Sequence, residues 1–580
     1  MPTRPFTRFS GALTSLLLVA SSLLITALLP WLGNRDLALA VFRAREAERD
    51  PDPEILEAIR TELDLPTNPA EGVMEWLRGA ITGDFGVSWV DPSRNAADVA
   101  LGGFGVSFTL AALSTGTAVI LSWFLVWPRL RSIVRGTATR SSDIMGMALL
   151  GTIPEFVLAV VLLVLFALRL RIFPVSGFSS YTHMVLPTLA LALPSAGLLG
   201  RVLLITIDGI GREEWVRVWR RGGVSPRQLY RAISIRAAGT IAPQVVLFLA
   251  GTLASTALVE QTFNIAGLGR SAVTAALDQD VPVLQVIVLT MVIVGIVAGS
   301  AAHWLRMWIL GPLLKAQGNY ASYSVVTARP HGTIPFLVVC IPFLSVLLAM
   351  MLTSPTLDVE ARLQAPSAQH WLGTDQLGRD LLARLADGMV YTIGASILVT
   401  AICALLGFGA GLSGRWTARL GDTLNALPII LVGLVLAGVF GRSIMTAAIA
   451  VIVVGWIPLA AHTSTVAAEI RKSGYYTWAQ LQGASRTRLV WWHLVPNVLP
   501  AVVRHAASRV AHNALALAGL GFLGLGAPHD SPEWGVVLSE SIRYAERAPW
   551  MMAAPTVMLM LLGVAAALAT DTTIRLRWKT

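Results

Sequence analysis

The sequence predicts an all-α integral membrane protein: twelve transmembrane helices in two homologous six-helix halves, with a small external subdomain after the first helix. Three observations carry that prediction. Apolar residues make up 55% of the 580 positions and charged residues only 13%, against roughly 25% charged in an ordinary globular domain. The apolar residues gather into runs near the roughly 20 residues that cross a hydrocarbon core. Residues 11–32 and 100–127, for example, carry no charge at all. Finally, the arginines crowd into every second connecting loop, the bias that marks the cytoplasmic side of a membrane protein.

Taken in order, the runs lie near 11–32, 102–127, 143–168, 184–206, 238–260 and 283–308. After a short basic linker come 333–353, 391–413, 422–440, 444–462, 498–520 and 549–570. The first run follows Arg4 and Arg8 and is too long for a signal peptide. No A-x-A-like site precedes the polar segment, so it is read as a retained helix. With Arg4 and Arg8 inside, the inner loops hold Arg129, Arg131, Arg135 and Arg140, then Arg212, Arg217, Arg220, Arg221 and Arg227. In the second half they hold Arg415 and Arg419, Arg471 and Lys472, Arg486 and Arg488, and the tail Arg575, Arg577 and Lys579. The outer segment 34–98 has the opposite balance, fourteen acids against seven arginines for a net of −7. It reads as the external subdomain, bounded near 33–100. Both termini and the linker 310–332 are expected in the cytoplasm, and 34–98 and 354–387 outside. The domains are then 1–309 and 333–580, joined by that linker.

The two halves repeat one layout. In each, a long external segment follows the first helix, a long basic internal segment the fourth, and a second external segment the fifth. The internal segments, 207–239 and 463–497, are too polar to be buried. Each contains helical runs interrupted by glycine, at Gly222-Gly223 and at Gly483. Glycine takes left-handed backbone angles without a Cβ clash, so helix, glycine, helix is the pattern of a sharply turning hairpin. Such a projecting hairpin suggests docking to a soluble partner; the alternative is a mere connection, though connections usually run shorter. The formal charge of +10 does not imply nucleic acid, because it is spread over these inner loops. Cys340 and Cys403 both fall within apolar runs, which leaves no disulfide framework or metal-ligand cluster.

Several strings resemble the dipeptide/oligopeptide/nickel class of ABC-transporter permeases. The first half is similar to one permease subunit. It carries Gly83-Asp84-Phe85-Gly86, Ile153-Pro154-Glu155-Phe156, Phe173-Pro174-Val175-Ser176-Gly177, then His183 with Leu186-Pro187. Val259-Glu260-x-x-Phe263 follows, running into Gly267-Leu268-Gly269-Arg270. The second half is similar to the other subunit, with Leu372-Gly373-Thr374-Asp375-x-x-Gly378-Arg379-Asp380 and His493-x-x-Pro496-Asn497. Phe522-Leu523-Gly524-Leu525-Gly526 and Pro532-Glu533-Trp534-Gly535 complete it. Each string alone is weak; their order, each at its helix boundary, is not. Two permeases that are usually separate chains look fused here.

The resemblance implies a bacterial inner-membrane importer. Its path would lie between the halves, with two cytoplasmic ABC ATPase domains, an external substrate-binding protein that delivers cargo, and membrane lipid around it. No cofactor is expected on this chain; ATP and Mg would sit on the partner subunits. Consistent with that, no GxxxxGK[ST] loop exists to cradle ATP phosphates, and no catalytic constellation is visible. The family's coupling motif maps onto Glu213 or Glu214 and Gly223 in the first half, and onto Ala479 and Gly483 in the second. The match is imperfect: Trp219 and Arg221 replace small residues, Gly474 stands where an acid belongs, and Trp478 replaces an alanine.

Ionisable residues inside membrane helices suggest a functional site. His505, Ser508, Arg509 and His512 recur at three-to-four-residue spacing on the second half's fifth helix. They form either a hydrated wall of the solute path, able to bind a peptide carboxylate or a chelated anion, or a set of interhelical hydrogen bonds. Metal coordination by the two histidines is a further alternative, and no metal ligand set is assigned. Aligning Pro243 with Pro500 sets Gly251, Thr252 and Ser255 opposite that stripe, where small residues fit a pore wall or close helix packing. Glu155 reads as a helix-break or interface residue. The rival architecture is a twelve-helix secondary transporter, which would carry mid-membrane carboxylates and lack the long basic hairpins.

Overall fold

The computed structural model describes residues 36–45, 50–137, 150–316, 333–349, 356–413 and 429–571, a few single positions aside, with parts of 20–31 and 146–147. Arg4, Arg8, most of the 11–32 run, Arg140, the core of the linker, Arg415, Arg419 and the basic tail lie outside the described residues. Within the described residues the fold is helical. Extended pairing is confined to two isolated bridges, Val87 with Asn95 and Thr374 with Asp380.

Three short helices, α1 (Leu37–Arg45), α2 (Pro53–Glu62) and α3 (Pro69–Thr82), occupy the acidic segment. The last two start on Asp52 and Asn68, whose side chains accept from the Glu54 and Ala70 N–H groups, with proline as the first helical residue. Next come α4 (Ala96–Leu101), α5 (Phe104–Arg135) and α6 (Glu155–Leu162), which widens into a π-turn over Leu163–Arg169. The first half continues with α7 (Tyr181–Gly211), α8 (Glu214–Arg221), α9 (Pro226–Phe263), α10 (Leu268–Leu277) and α11 (Val281–Ala316). The second begins with α12 (Thr333–Ala349) and α13 (Leu381–Met389), the latter passing through a π-turn into α14 (Ala395–Ser413). Then follow α15 (Ile429–Phe440), α16 (Ile444–Arg471), α17 (Gly474–Leu481), α18 (Val495–Phe522), α19 (Trp534–Ser541) and α20 (Pro549–Asp571).

Among the described residues, six helical stretches are long and apolar enough to cross a membrane: 96–135, 181–211, 226–263, 281–309, 381–413 and 444–471. Shorter apolar helices lie at Val338–Leu348, Ile429–Phe440 and Pro549–Ala565. The protein is therefore a multi-pass membrane protein. At 28 residues α18 has the length, but its arginines and histidines dilute its apolar character.

The internal segment 207–239 differs from the expected free-standing hairpin. Only α8 stands alone; its outgoing arm is the opening of α9. Leu229, Ile233, Ala237 and Ile241 recur every four residues there and pack with Val126, Leu130 and Ile207 of α5 and α7. That continuous apolar stripe keeps the helix unbroken from Pro226.

Helices α1 and α2 do not form a separate globule. Leu37, Val41, Phe42 and Ile59 join one apolar cluster with Trp89 and Val281 of the first half and Val439 of the second. The acidic segment thus lies across the junction between halves.

Candidate functional site

Two features distinguish the molecule: a pair of projecting hairpins, and the seam where the halves meet. The hairpins repeat at a spacing of 260 residues. Glu214–Arg221 matches Gly474–Leu481, and Gly223 (φ 76°) matches Gly483 (φ 77°). Ser225 and Ser485 follow, each cap hydroxyl accepting from a backbone N–H, of Gln228 and of Arg488. In both, the residue after the glycine donates back across the bend, Val224 N–H to Trp219 O and Ala484 N–H to Ala479 O, which satisfies orphan carbonyls at the helix end. Nothing lies within 4 Å of a Cβ added at either glycine. The positive φ, and not a lack of space, therefore demands glycine there.

The hairpins are fastened differently. Val216 buries α8 against the α5–α7–α9 cluster, and Ala479 is the buried residue of α17. Glu213 accepts from Arg236 Nη2 at 2.9 and 2.8 Å and from Trp215 Nε1 at 2.7 Å, and the Arg236 guanidinium lies over the Trp215 ring. At the equivalent place in the second half stands Ser473, whose hydroxyl donates to Ile470 O. Glu214 faces solvent, so of the two candidate acids Glu213 is the one built into the structure.

Far from the hairpins, the halves touch. The rings of Phe156 and Phe522 lie 5.2 Å apart. Gly519 faces Leu258 and Phe156, and Gly438 receives Leu284 so closely that a Cβ would stand 2.3 Å from its Cδ1. Nearer the hairpins the same helix faces open. With about 100° per residue, Leu247 and Gly251 share the face of Leu258 to within roughly 20°, and both are exposed. Ser508 and His512 likewise share the face of Gly519; Ser508 is half-buried and His512 exposed. The seam is closed at the end remote from the hairpins and splayed toward them.

That geometry divides the predicted path residues. His512, Ser508 and Gly251 lie on the splayed faces, with half-buried Ser255 at their edge. Thr252 does not belong with them: it lies about 120° from Leu258 around α9 and is buried within the first half. His505 is turned into its own half, where its ring stacks on His462 of α16 at 4.5 Å. The stripe is thus not one uniform wall. Arg509 is half-buried, and its Nε has no hydrogen-bond partner. The hydroxyls of Thr252, Ser255 and Ser508 donate to carbonyls of their own helices, Phe248, Thr252 and His505.

Residues 136–310 and 396–573 each match the model of one family, described as a binding-protein-dependent transport system inner membrane component. The chain belongs to this family. Among its relatives is a dipeptide transport system permease protein of Alkalihalophilus pseudofirmus, 34% identical over 212 residues, 35% of this chain and 70% of the relative. A probable D,D-dipeptide transport system permease protein of Escherichia coli is 33% identical over 249 residues, 40% and 83% of the two chains. A nickel transport system permease protein of Escherichia coli is 30% identical over 223 residues, 37% and 80%. Each relative accounts for less than half of this chain, whereas the family model matches twice. The protein is a fused two-permease ABC transporter component, a membrane transport protein and not itself an enzyme.

Several of the strings that resembled the permease family build the loops at the closed end of the seam, whereas His493-x-x-Pro496-Asn497 lies at the hairpin end of α18. Glu260, fully buried at the end of α9, accepts from Ser107 Oγ and from the Arg270 N–H at 2.9 Å, and Ser107 Oγ in turn accepts from Leu268 N–H at 2.8 Å. These bonds pin α10 to α5 and α9. Glu533 does the same for α19, accepting from the Gly535 and Val536 N–H groups at 2.9 and 3.0 Å. Burial pushes its carboxyl up to about 7. Asp375, Arg384 and Glu540 form a second brace. The Arg384 guanidinium, 2% exposed, bridges Asp375 (3.1 Å) and Glu540 (2.8 Å), while Arg379 Nε reaches Asp375 at 2.7 Å. Gly535 sits so close to Ala518 O that no side chain fits. The motifs were visible in the sequence, but their bonding was not. Phe156 and Phe522 stand in two of those strings, but their contact across the seam was not legible, and Arg236 and His462 read only as ordinary polar residues.

Proposed function

We propose that this fused permease forms the membrane channel of an ATP-driven importer. It passes peptides or related small solutes, metal chelates among them, from an external binding protein into the cytoplasm. Two ABC ATPase domains dock on α8 and α17, and Glu213, Gly223, Ala479 and Gly483 hold those hairpins in shape. Twelve helices cross a bacterial inner membrane, with both termini and the 310–332 linker cytoplasmic and the acidic 33–100 segment external. The halves, 1–309 and 333–580, enclose the path. His512, Ser508, Ser255 and Gly251 line its inner part, with Arg509 beside it. The observation that carries this reading is the splay of the seam toward the repeated hairpins. Elements that could receive a domain movement in water stand at the open end of the seam between α9 and α18, whose other end is closed by Phe156, Leu258, Gly519 and Phe522.

A secondary transporter would need coupling carboxylates in mid-membrane; Glu260 is engaged by Ser107 and the Arg270 backbone instead. Reconstitution in liposomes with the partner ATPases and binding protein tests the assignment. Uptake should require internal ATP and survive ionophores that collapse ion gradients. Uptake driven by a gradient without ATP, or ATP hydrolysis by the homogeneous chain alone, would refute it.

A further inference from the structure

Superposed at their 260-residue spacing, the hairpins share bounds, bend and cap and both show apolar side chains to solvent, Val218 and Trp219 on α8 and Trp478 and Leu481 on α17, but they differ sharply in charge. On α8, Arg217, Arg220 and Arg221 are all exposed; their counterparts on α17 are Thr477, Gln480 and Leu481, also exposed. Helix α17 carries no charged residue, and it displays Tyr475, Trp478 and Leu481, the last 82% exposed. The incoming flank does not differ in this way, since Arg212 is answered by Lys472, but the outgoing arm does: exposed Arg231 is matched by Trp491, 64% exposed, although Arg486 and Arg488 keep some charge there. The contrast thus centres on the short projecting helices and continues into their outgoing arms.

We propose that the two hairpins seat in grooves of different chemistry, α8 in a groove lined by carboxylates and α17 in an uncharged apolar one, so that the ATPase pair binds in one orientation only. This rests on the reading of the hairpins as ATPase docking elements. Three exposed guanidinium groups on two helical turns repel one another unless acids face them, and surface charge complementarity of this kind sets partner choice more than raw affinity. An exposed Trp–Leu pair on a polar face calls for an apolar cover. Each surface would reject the other's groove: arginines lack counter-charges in an apolar groove, and Trp478 and Leu481 would strip water from carboxylates in an acidic one.

Salt separates the two modes, because charge pairing is screened within about 3 Å at 1 M against about 10 Å at 0.1 M, while apolar burial is not weakened. The test places a photo-crosslinking residue at 222 or 482, the matched tips, in the complex isolated with its own ATPases in lipid nanodiscs without nucleotide. Raising NaCl from about 0.1 to 1 M should cut the 222 cross-link about tenfold and change the 482 cross-link less than twofold. Arg217→Glu/Arg220→Glu/Arg221→Glu should abolish the 222 cross-link at low salt and spare 482; the corresponding lysine triple should retain it. Trp478→Ser/Leu481→Ser should do the reverse. Equal salt response at both tips overturns the inference and leaves the docking reading intact. So does a 222 cross-link that follows the exchange of phosphatidylglycerol for phosphatidylcholine, since the arginines would then face lipid. Absence of ATPase cross-links from both tips of the active wild-type complex would instead refute the docking reading itself.

Discussion

Substituting Gly223 and Gly483 together by valine should uncouple ATP turnover from solute while leaving the chain inserted. Both glycines sit at φ near +76° with open space around them, so no clash contributes and the cost is that of the backbone alone. A Cβ in the left-handed region costs about 1–2 kcal/mol per residue, or about 2–4 kcal/mol for the pair. At about 1.4 kcal/mol per tenfold, the correctly bent pair is depopulated roughly thirtyfold to several hundredfold. The buried anchors Val216 and Ala479 are untouched, so insertion and core packing should persist. Asparagine tolerates this region far better than valine. The Gly223→Asn/Gly483→Asn protein should therefore keep most of the solute-stimulated ATP turnover, measured in proteoliposomes with the partner ATPases. Wild-type turnover in the double valine protein would refute the argument. Equal damage from asparagine and valine would also count against it, since bulk at the tip rather than backbone angle would then be the cause.

Arg236→Ala should loosen the first hairpin alone; its bond to Glu213 is about one-third exposed on each side and worth about 1 kcal/mol or less, so protease cutting near 222 should rise while cutting near 482 is unchanged. Phe522→Ala removes one ring of the closed seam; buried Phe→Ala changes cost about 3–5 kcal/mol, and solute-independent ATP turnover in the complex should rise because the closed end is weakened. Glu533 binds its proton more tightly folded than unfolded, its carboxyl being raised from 4.5 to about 7. Its contribution to stability is therefore greatest below pH 4.5 and is lost as pH climbs through about 7, a span worth on the order of 3 kcal/mol. Glu533→Gln should flatten that slope in thermal unfolding measured at several pH values, and an unchanged slope would refute it. Single cysteines in a Cys-free background should label from outside at position 60 and from inside at position 320, and the reverse pattern would overturn the proposed topology.

Much of this was written in single residues whose roles local physics dictates. Gly223 and Gly483 declared their bends because only glycine takes a positive φ at no cost, and the apolar runs declared helices because a continuous apolar run of about 20 residues satisfies its own backbone in lipid as a helix, whereas barrel strands are shorter and alternate. Other features had no local signature. A stripe of arginine and histidine is the same string whether it lines a path or packs between helices. The structure turns His505 to His462 and leaves His512 exposed, a difference of angle around α18 that spacing alone does not resolve. The seam is another such case. Phe156 and Phe522 lie 366 residues apart in the sequence, each in a family string of its own half that gives no sign of the other, and only the packing of two halves brings them together.

The two halves have diverged unequally, and where they diverged bears on mechanism. Bounds, bend and cap of the hairpins match at 260 residues throughout, so the backbone device has been kept in both. Side chains that face away from the bundle have not: arginines on α8 stand against threonine, glutamine and leucine on α17. The loops at the closed end follow the same rule. A buried carboxylate fixes the short helix that follows α9 in one half and α18 in the other, but Glu260 reaches it from the preceding helix while Glu533 caps it directly. Geometry common to both halves is what two-sided motion requires; chemistry private to each is what recognising two different surfaces requires. Fusion into one chain fixes the two permeases at equal copy number, so under the proposed docking neither hairpin would need to serve the other's partner.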